Sequence, residues 1–284
     1  MTERLLSLAQ LTALPYAPPD LVQLTADAGC RICGLRLLPA SPGGPAYPLM
    51  HDAAMLAETL ARMRALGVSV FDLEIIRIGE PFDPGAYGAF FEVGQRLGAR
   101  AVLVAGDDAD EARLTERYAR LCEAAAPYGL TCDLEFMPWT AVKDARAAAR
   151  IVANAGQRNG GILVDALHFA RSGTTLDDIG ALPRAALHYA QICDGQVPGP
   201  TTVEGLIHDA RCERLLPGEG GIALADLFAR LPADLPVSIE IPSDTRTPKM
   251  GYLAWARAAV AATRATLGLA SLSEGGPVRG GTPA

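Results

Sequence analysis

The stretch Leu130–Phe169 reads LTCDLEFMPWTAVKDARAAARIVANAGQRNGGILVDALHF, and it contains the repeating unit that decides the fold. Two short apolar runs, Leu130–Met137 and Gly161–Phe169, flank an Ala/Arg-rich segment, Ala141–Ala155. Short apolar runs between turn residues are typical of buried strands, and the longer Ala-rich segment is typical of a helix. The stretch therefore predicts a strand, a helix and a second strand that runs parallel to the first.

The same alternation continues in both directions along the 284 residues. The predicted strands are Leu5–Leu14, Arg31–Leu38, Val68–Ile78, Ala99–Ala105, Leu130–Met137, Gly161–Phe169, Ala185–Cys193 and Val237–Pro242. The predicted helices start at Pro18 or cover Met50–Leu66, Pro84–Leu97, Asp110–Pro127, Ala141–Ala155, Leu176–Leu182, Ala223–Leu231 and Tyr252–Leu267. Eight strand–helix units predict a (β/α)8 TIM barrel. An open doubly wound sheet is the alternative, but the chain has neither G-x-G-x-x-G after its first strand nor a P-loop.

The chain has no linker-like segment, so residues 1–269 are expected to form a single TIM-barrel domain. Residues 270–284 are small, polar and rich in Gly and Pro, and they are expected to form a disordered tail. The segments Ser41–Pro48 and Gln196–Gly221 are predicted to be long loops. Both follow predicted strands, which places them at the catalytic face of a barrel.

Composition narrows the class of partner. The net charge of −7 argues against nucleic acid, because phosphate binding needs clustered Lys and Arg. The N-terminal apolar run is too short to span a bilayer and has no signal-peptide cleavage site, so no membrane partner is expected. Six scattered cysteines suit a reducing cytosol, and we expect a cytoplasmic protein. The sequence is compatible with a homo-oligomer.

Polar residues stand near the ends of the last four predicted strands. The fifth strand contains Glu135, the sixth Asp165, the seventh Gln191 and the eighth Glu240. Apolar residues alternate with Glu240, which turns its side chain toward the barrel axis. Because the carboxyl ends of barrel strands meet at one face, these four side chains are expected to converge.

The third predicted strand adds further polar residues. Strict alternation places Phe71, Leu73 and Ile75 on the face toward the helices and leaves Asp72 and Glu74 pointing inward. This pattern makes Glu74 a candidate for the pocket lining, in contact with a substrate, or for a structural ion pair with an arginine.

The converging residues suggest a metal. A single acid at a strand end is more often a helix cap or an ion-pair partner than a ligand. Three carboxylates in one small volume repel each other strongly, and a divalent cation relieves that repulsion. Ligation by oxygen suits Mg²⁺ or Mn²⁺, with Co²⁺ also possible. Glu135, Asp165, Gln191 and Glu240 are therefore predicted to bind one divalent metal ion.

These residues lie in motifs that resemble those of the xylose-isomerase-like TIM barrels, a superfamily of sugar isomerases, epimerases and related lyases. The resemblance covers about residues 5–268. It is carried by L-E-F-M-P with Glu135, V-D-A-L-H with Asp165 and His168, H-Y-A-Q-I-C-D-G with Gln191, R-L-L-P-G-E-G from Arg214 to Gly220, and S-I-E-I-P with Glu240.

The resemblance implies a metal-dependent enzyme that acts on a small polyhydroxy carbonyl substrate through an enediolate. Many ketose epimerases have His where this chain has Gln191, and in that respect the chain is similar to bacterial 3-dehydroshikimate dehydratases. Isomerase or epimerase is the first expectation and dehydratase the alternative. DNA-repair endonucleases share the barrel, but they usually bind several metal ions with many histidines, and this chain has four.

The resemblance also assigns roles. Glu135 and Glu240 would exchange protons with the substrate from opposite sides, and His168 would be the acid or base of a dehydratase. An arginine grips a carboxylate with two hydrogen bonds. Arg211 and Arg77 are therefore predicted, together with Glu74, to contact the substrate, and Arg214 is a further candidate for such a grip.

Overall fold

The computed structural model describes residues Arg4–Ala270, so all but the first residue of the predicted tail lies outside the described residues. Eight parallel strands form a closed barrel in chain order, and the eighth pairs with the first. The strands are β1 (Leu6–Leu8), β2 (Ile32–Arg36), β3 (Ser69–Ile78), β4 (Ala101–Gly106), β5 (Thr131–Glu135), β6 (Gly160–Asp165), β7 (Ala190–Ile192) and β8 (Val237–Ile239). The predicted TIM barrel is confirmed.

Helices alternate with the strands. They are α1 (Pro18–Asp27), α2 (Ala53–Leu66), α3 (Gly88–Leu97), α4 (Glu111–Ala125), α5 (Ala145–Ala155), α6 (Ala166–Arg171), α7 (Leu176–Gly180), α8 (Val203–Cys212), α9 (Leu224–Arg230), α10 (Thr247–Met250) and α11 (Tyr252–Thr266). Within residues 4–270, no helix combines the length and the apolar character that crossing a bilayer requires.

Local sequence explains where the helices begin and end. Asp52, Asp110 and Asp144 each accept a hydrogen bond from a backbone N–H in the first turn of α2, α4 and α5, which satisfies a donor that has no partner inside the helix. Gly67 and Gly156 end α2 and α5 in the left-handed conformation, with φ of 63° and 65°. These caps fix the residues at which α2, α4 and α5 begin and at which α2 and α5 end.

Apolar residues form two layers. The outer layer lies between the strands and the helices, where residues such as Leu134 and Ile239 pack with Leu121 and Trp255. A smaller apolar cluster fills part of the barrel interior and consists of Phe71, Ile75, Ala101, Leu103, Ala105, Met137, Leu163 and Tyr189. The rest of the interior is polar, which is the setting of the candidate site.

The strand β3 corrects one prediction. Val70 and Leu73 pair with residues only two apart in β2, and Leu73 and Ile76 pair with residues only two apart in β4. Each irregularity inserts one extra residue, as a β-bulge does, and breaks the simple alternation. Val70, Leu73 and Ile76 therefore face the helices, whereas Phe71 and Ile75 lie inside the barrel. The prediction that Phe71 and Ile75 face the helices was wrong.

Several predicted segments differ from the structure. The run Gly161–Phe169 is a strand only as far as Asp165 and continues as α6, and the run Ala185–Cys193 is a strand only over β7. The apolar run Leu5–Leu14 is a strand only over β1 and continues as a 3₁₀ helix, Gln10–Ala13. The predicted loop Gln196–Gly221 contains the ten-residue helix α8. Thr202 caps α8 by accepting a hydrogen bond from Gly205 N–H at 3.1 Å. This helix carries Arg211 and leads directly into Arg214.

Candidate active site

The four predicted metal ligands lie at the carboxyl ends of four neighbouring strands. Glu135 and Asp165 are the last residues of β5 and β6, Gln191 is in β7, and Glu240 follows β8 directly. Gln191 is paired in register with Asp165 on one side and with Ser238 on the other. All four side chains are buried. Their convergence at one end of the barrel agrees with the sequence pattern.

A buried arginine connects two of these acids. Arg214 is 2% exposed, and its Nη1 donates to Asp165 Oδ2 at 2.7 Å while its Nη2 lies 2.8 Å from Glu240 Oε2. The guanidinium also donates from Nε to the carbonyl of Ala210 at 2.8 Å. A cation that is removed from water is stabilised by such charge-assisted hydrogen bonds. Arg214 thus links the ends of β6 and β8 through their carboxylates.

The loop that follows Arg214 is fastened by Asp194. The carboxylate of Asp194 accepts hydrogen bonds from the backbone N–H groups of Gly195, Gly218 and Ile222, at 2.8, 2.9 and 3.1 Å. The backbone of Asp194 pairs with Leu215 as an isolated bridge. The P-G-E-G segment is thereby tied to the end of β7, which fixes the position of Arg214.

Glu135 lies beside His168. Its Oε1 is 3.6 Å from His168 Nε2, and the ring of Trp139 meets the imidazole edge-on with centroids 5.0 Å apart. His168 belongs to α6, whose N-cap is Asp165: Asp165 Oδ1 accepts the backbone N–H of His168 at 2.9 Å. One short motif, D-A-L-H, therefore supplies both a predicted metal ligand and an adjacent imidazole.

Burial and neighbouring charge perturb the titration of these groups. Burial raises the pKa of Glu135 well above its usual value, and the charges of Asp165 and Glu240 raise it further. Burial raises the pKa of Glu240 to about 7, although Arg214 opposes the shift. Burial acts to raise the pKa of Asp165 too, but the charge of Arg214, the neighbouring His168 and the hydrogen bonds to both residues together outweigh it, and the pKa is lowered. Burial lowers the pKa of His168 to about 4, so the imidazole is neutral near pH 7.

The chemistry of the donor set fits a divalent cation. Glu135 Oε1 and both polar atoms of the Gln191 amide are buried and make no hydrogen bond within the described chain. When ionised, Glu135, Asp165 and Glu240 carry three negative charges against the single charge of Arg214, which leaves two negative charges unbalanced. Oxygen donors and this charge match a hard dication such as Mg²⁺ or Mn²⁺.

The site is not a closed metal cage. Among residues 4–270, no three His, Cys, Asp or Glu side chains are grouped closely enough to hold a metal ion. Arg214 is already paired with one oxygen of Asp165 and one of Glu240, so a metal ion would have to share these carboxylates with the guanidinium. The assignment of Glu135, Asp165, Gln191 and Glu240 as ligands stays a prediction.

The residues predicted to contact the substrate fall into two groups. Glu74 Oε2 accepts hydrogen bonds from Nε and Nη2 of the buried Arg36, at 2.8 and 2.5 Å, so an ion pair already engages it. Arg77 is paired with both carboxylate oxygens of Asp107 at 2.7 Å. Arg211 makes no ion pair within residues 4–270, and its one hydrogen bond is a long contact of 3.4 Å to the carbonyl of Ala40. Arg211 is therefore the one of these three residues whose charged group has no ion-pair partner within residues 4–270, and its guanidinium is available to a ligand.

A small cavity of about 40 Å³ joins these groups, and we call it the inner cavity. The predicted residues that line it are Glu135, His168, Glu240, Arg77 and Arg211. Arg214 and Trp139 line it too. Arg214 was predicted as a candidate to bind a substrate carboxylate, and the excess of buried acids could have identified its role as their counter-charge. Trp139 was not predicted, although it directly follows the L-E-F-M-P motif.

A comparison with protein families gives one match. The family model described as "Xylose isomerase-like TIM barrel" matches residues 22–266. A search of curated protein sequences gave no match.

Solved structures share the architecture at low sequence identity. The IolI protein with a bound zinc atom has a TM-score of 0.75 at 18% identity, over 92% of this chain and 97% of that one. A fusion protein of a xylose isomerase-like TIM barrel with 4-hydroxyphenylpyruvate dioxygenase has a TM-score of 0.74 at 20% identity, over 93% of this chain and 43% of that one.

The D-psicose 3-epimerase from Clostridium cellulolyticum H10, solved with D-tagatose, has a TM-score of 0.68 at 12% identity, over 92% of this chain and 97% of that one. These TM-scores show a common fold, and the family match extends over most of the barrel. The chain therefore belongs to the xylose isomerase-like TIM-barrel family.

Proposed function

We propose that this protein is a divalent-metal-dependent isomerase or epimerase that moves a proton within a polyhydroxy carbonyl substrate. The observation that carries the proposal is the presence, at one end of the barrel, of three buried carboxylates and of the Gln191 amide, which has no hydrogen-bond partner within residues 4–270, with Arg214 paired to two of the carboxylates. The zinc atom of the IolI protein and the D-tagatose of the psicose epimerase, both bound to proteins of this fold, are consistent with it.

Glu135, Asp165, Gln191 and Glu240 would hold the metal, which we expect to be Mg²⁺ or Mn²⁺, with Co²⁺ possible. When bound, such a cation polarises a carbonyl oxygen and makes the neighbouring C–H more acidic, giving an enediolate. The oxygen atoms Glu135 Oε1 and Gln191 Oε1, which have no partner within residues 4–270, would gain one, which removes the cost of burying them unsatisfied.

The proton transfers fall to the two glutamates. Glu135 and Glu240 end strands that are three positions apart around the barrel, and both line the inner cavity. A substrate between them has one carboxylate on each side of its reacting carbon. One glutamate takes the proton from C–H, and the other returns a proton to the opposite face, which inverts that centre. Assistance of this kind is worth about 10²–10⁴ in rate.

The surrounding residues keep this arrangement in place. Arg214 orients Asp165 through a hydrogen bond of 2.7 Å and Glu240 through an ion pair of 2.8 Å. His168 is neutral and stands 3.6 Å from Glu135, so it can donate to or accept from a substrate hydroxyl. Trp139 packs on the imidazole and shields it from water.

Metal analysis tests the proposal. Purified wild-type protein, Glu135→Gln and Glu240→Gln would be loaded with Mn²⁺, dialysed and analysed for bound metal. We expect about one metal ion per wild-type chain and a loss of at least about tenfold in metal affinity for each variant. Glu116→Gln removes an exposed carboxylate on α4 and is the matched control. Equal metal content in all four proteins would contradict the proposal.

A second candidate is a 3-dehydroshikimate dehydratase, and the unpaired guanidinium of Arg211 favours it, because the substrate of that enzyme carries a carboxylate. In this reaction the neutral imidazole of His168 would take a proton from C–H, a double bond would form between that carbon and the next, and the imidazolium would return the proton to the hydroxyl on the next carbon, which leaves as water. The protein with Mn²⁺ would be mixed with 3-dehydroshikimate, and the ultraviolet absorbance of an aromatic product followed. Ketose interconversion without any absorbance change would favour the isomerase.

A further inference from the structure

A second, larger cavity adjoins the inner cavity, and we call it the outer chamber. Its volume is about 350 Å³, within the range of small-molecule sites, whereas the inner cavity, at about 40 Å³, can hold only a few atoms, such as a metal ion and the reacting carbonyl of a larger substrate. Leu11 and Arg211 line both spaces. The outer chamber is therefore adjacent to the candidate active site, with the side chain of Arg211 at the boundary between the two cavities.

The wall of the outer chamber consists largely of rings and apolar side chains. They are Leu14, Pro15, Pro45, Tyr47, Pro242 and Tyr252, supplied by the segments after β1, β2 and β8 and by the start of α11. Such a wall offers flat, apolar surfaces to a ligand ring, and aromatic rings stack on one another with a gain of about 0.5–1.5 kcal/mol beyond the area that they bury.

The two tyrosines are held in place without a ligand. Tyr47 donates its hydroxyl to the carbonyl of Leu14 at 2.9 Å, and its backbone N–H donates to the carbonyl of Arg36 at 2.9 Å. Tyr252 packs edge-on against Tyr16, with ring centroids 5.2 Å apart. A preformed wall loses little conformational entropy when a ligand binds.

Arg211 gives the chamber its charge preference. It stands between the two cavities, half-buried, with no carboxylate partner within the described residues. Burial lowers the pKa of Arg211 from its ordinary value, and the nearby charges of Arg77 and Arg36 lower it further, so an anion at this point would be stabilised. The lining contains one exposed acid, Asp244, which does not pair with Arg211.

We propose that the outer chamber binds the ring of an aromatic carboxylate and that Arg211 pairs with its carboxylate at the entrance to the inner cavity. As a statement about the substrate, this rests on the proposed function: the reacting carbonyl would lie in the inner cavity and an apolar ring in the outer one. As a statement about binding, it depends on the named residues alone.

Four probes separate the contributions of ring and charge, with calorimetry on protein freed of metal by EDTA. Benzoate has the ring and the negative charge, benzyl alcohol the ring alone, acetate the charge alone, and benzylamine the ring with the opposite charge. We expect benzoate to bind at least about tenfold more tightly than any of the other three, because only benzoate uses both the stacked rings and Arg211.

Variants then locate the site. Arg211→Gln should weaken benzoate at least about tenfold and leave benzyl alcohol unchanged, whereas Arg64→Gln, on the exposed face of α2, should change neither. Tyr252→Ala should weaken the binding of benzoate and of benzyl alcohol, and Tyr87→Ala, outside the chamber, should not. If Tyr252→Ala does not fold, Leu14→Trp fills the chamber instead and should weaken the binding of the same two probes.

Two results would overturn the inference: benzylamine or acetate binding as tightly as benzoate, or Arg211→Gln behaving like Arg64→Gln. Because the probes are measured without metal, failure here leaves the metal analysis of Glu135→Gln and Glu240→Gln unaffected. Absence of bound metal in that analysis would remove the proposed function and leave the benzoate site standing.

Discussion

Arg214 and Asp165 form an ion pair of 2.7 Å in which both side chains are buried, 2% and 0% exposed. Asp165 closes β6 and caps α6, while Arg214 begins the P-G-E-G loop that Asp194 fastens to β7. The pair therefore connects the end of one strand to the loop that follows the next. It also brings a positive charge into a cluster of acids at the point where a dication is proposed.

Removing this arginine should destabilise the metal-free protein. Arg214→Met leaves the carboxylates of Asp165 and Glu240 buried without their counter-charge, which is expected to cost about 3–5 kcal/mol of unfolding free energy. Denaturant unfolding at neutral pH in the presence of EDTA measures the change. Arg120→Met removes the exposed partner of Glu116 and should change stability by no more than about 0.5 kcal/mol. Equal effects of the two substitutions would contradict this account.

At the opposite end of the barrel, near the start of β6, Gly161 has no space for a larger side chain. A Cβ atom on this residue of β6 would lie 2.3 Å from Asp133 Oδ1 and 2.4 Å from His188 Nδ1, which are themselves paired at 2.7 Å. Gly161→Ala is therefore expected to force this pair apart and to lower the unfolding free energy by about 1–3 kcal/mol. Gly88→Ala, at the start of α3 with open space around it, is the control and should be neutral or stabilising by up to about 1 kcal/mol. Comparable losses in both variants would show that the pair is not the cause.

The same pair predicts a pH dependence. Burial acts to lower the pKa of His188, but the hydrogen bond and charge of Asp133 outweigh it, and the pKa lies above the ordinary 6.5. The folded state therefore holds this proton more tightly than the unfolded state. The stabilisation is complete below pH 6.5 and is lost as the pH rises through the folded-state pKa.

Denaturant unfolding of wild type and His188→Gln, from about pH 5.5 to about pH 9, measures this dependence. The stability difference between the two proteins should be largest at the acidic end and should shrink as the pH rises. A difference that grows with pH would mean that the interaction favours the neutral imidazole.

The barrel was predictable from the sequence because each strand and helix carries its own signal. The aspartates before α2, α4 and α5 and the glycines after α2 and α5 mark boundaries within a few residues of those in the structure. The bulges of β3 were not predictable by strict alternation: an inserted residue changes which side chains face inward, and Phe71 and Ile75 are as apolar as residues of the helix-facing layer.

The sequence indicated where the candidate site lies in the barrel, but it did not indicate which of the charged residues there form ion pairs. The strand-end pattern identified Glu135, Asp165, Gln191 and Glu240, which the fold does bring to one end of the barrel. The pattern does not identify Arg214, which lies in the segment between β7 and β8 and pairs with both Asp165 and Glu240. Arg214 comes 23 residues after Gln191, and its insertion depends on the tertiary contacts of Asp194 and α8.

The identity of the seventh-strand residue should set the metal preference. An amide oxygen suits Mg²⁺ or Mn²⁺, and an imidazole suits Zn²⁺ and Co²⁺ better. Gln191→His is therefore expected to raise the affinity for Zn²⁺ relative to Mn²⁺ by at least about tenfold, measured by competition between the two ions and elemental analysis. Gln191→Leu keeps much of the volume without a donor atom and should weaken both ions. If Gln191→His leaves the ratio unchanged while Glu135→Gln still loses metal, a metal ion binds in this cavity but Gln191 is not among its ligands.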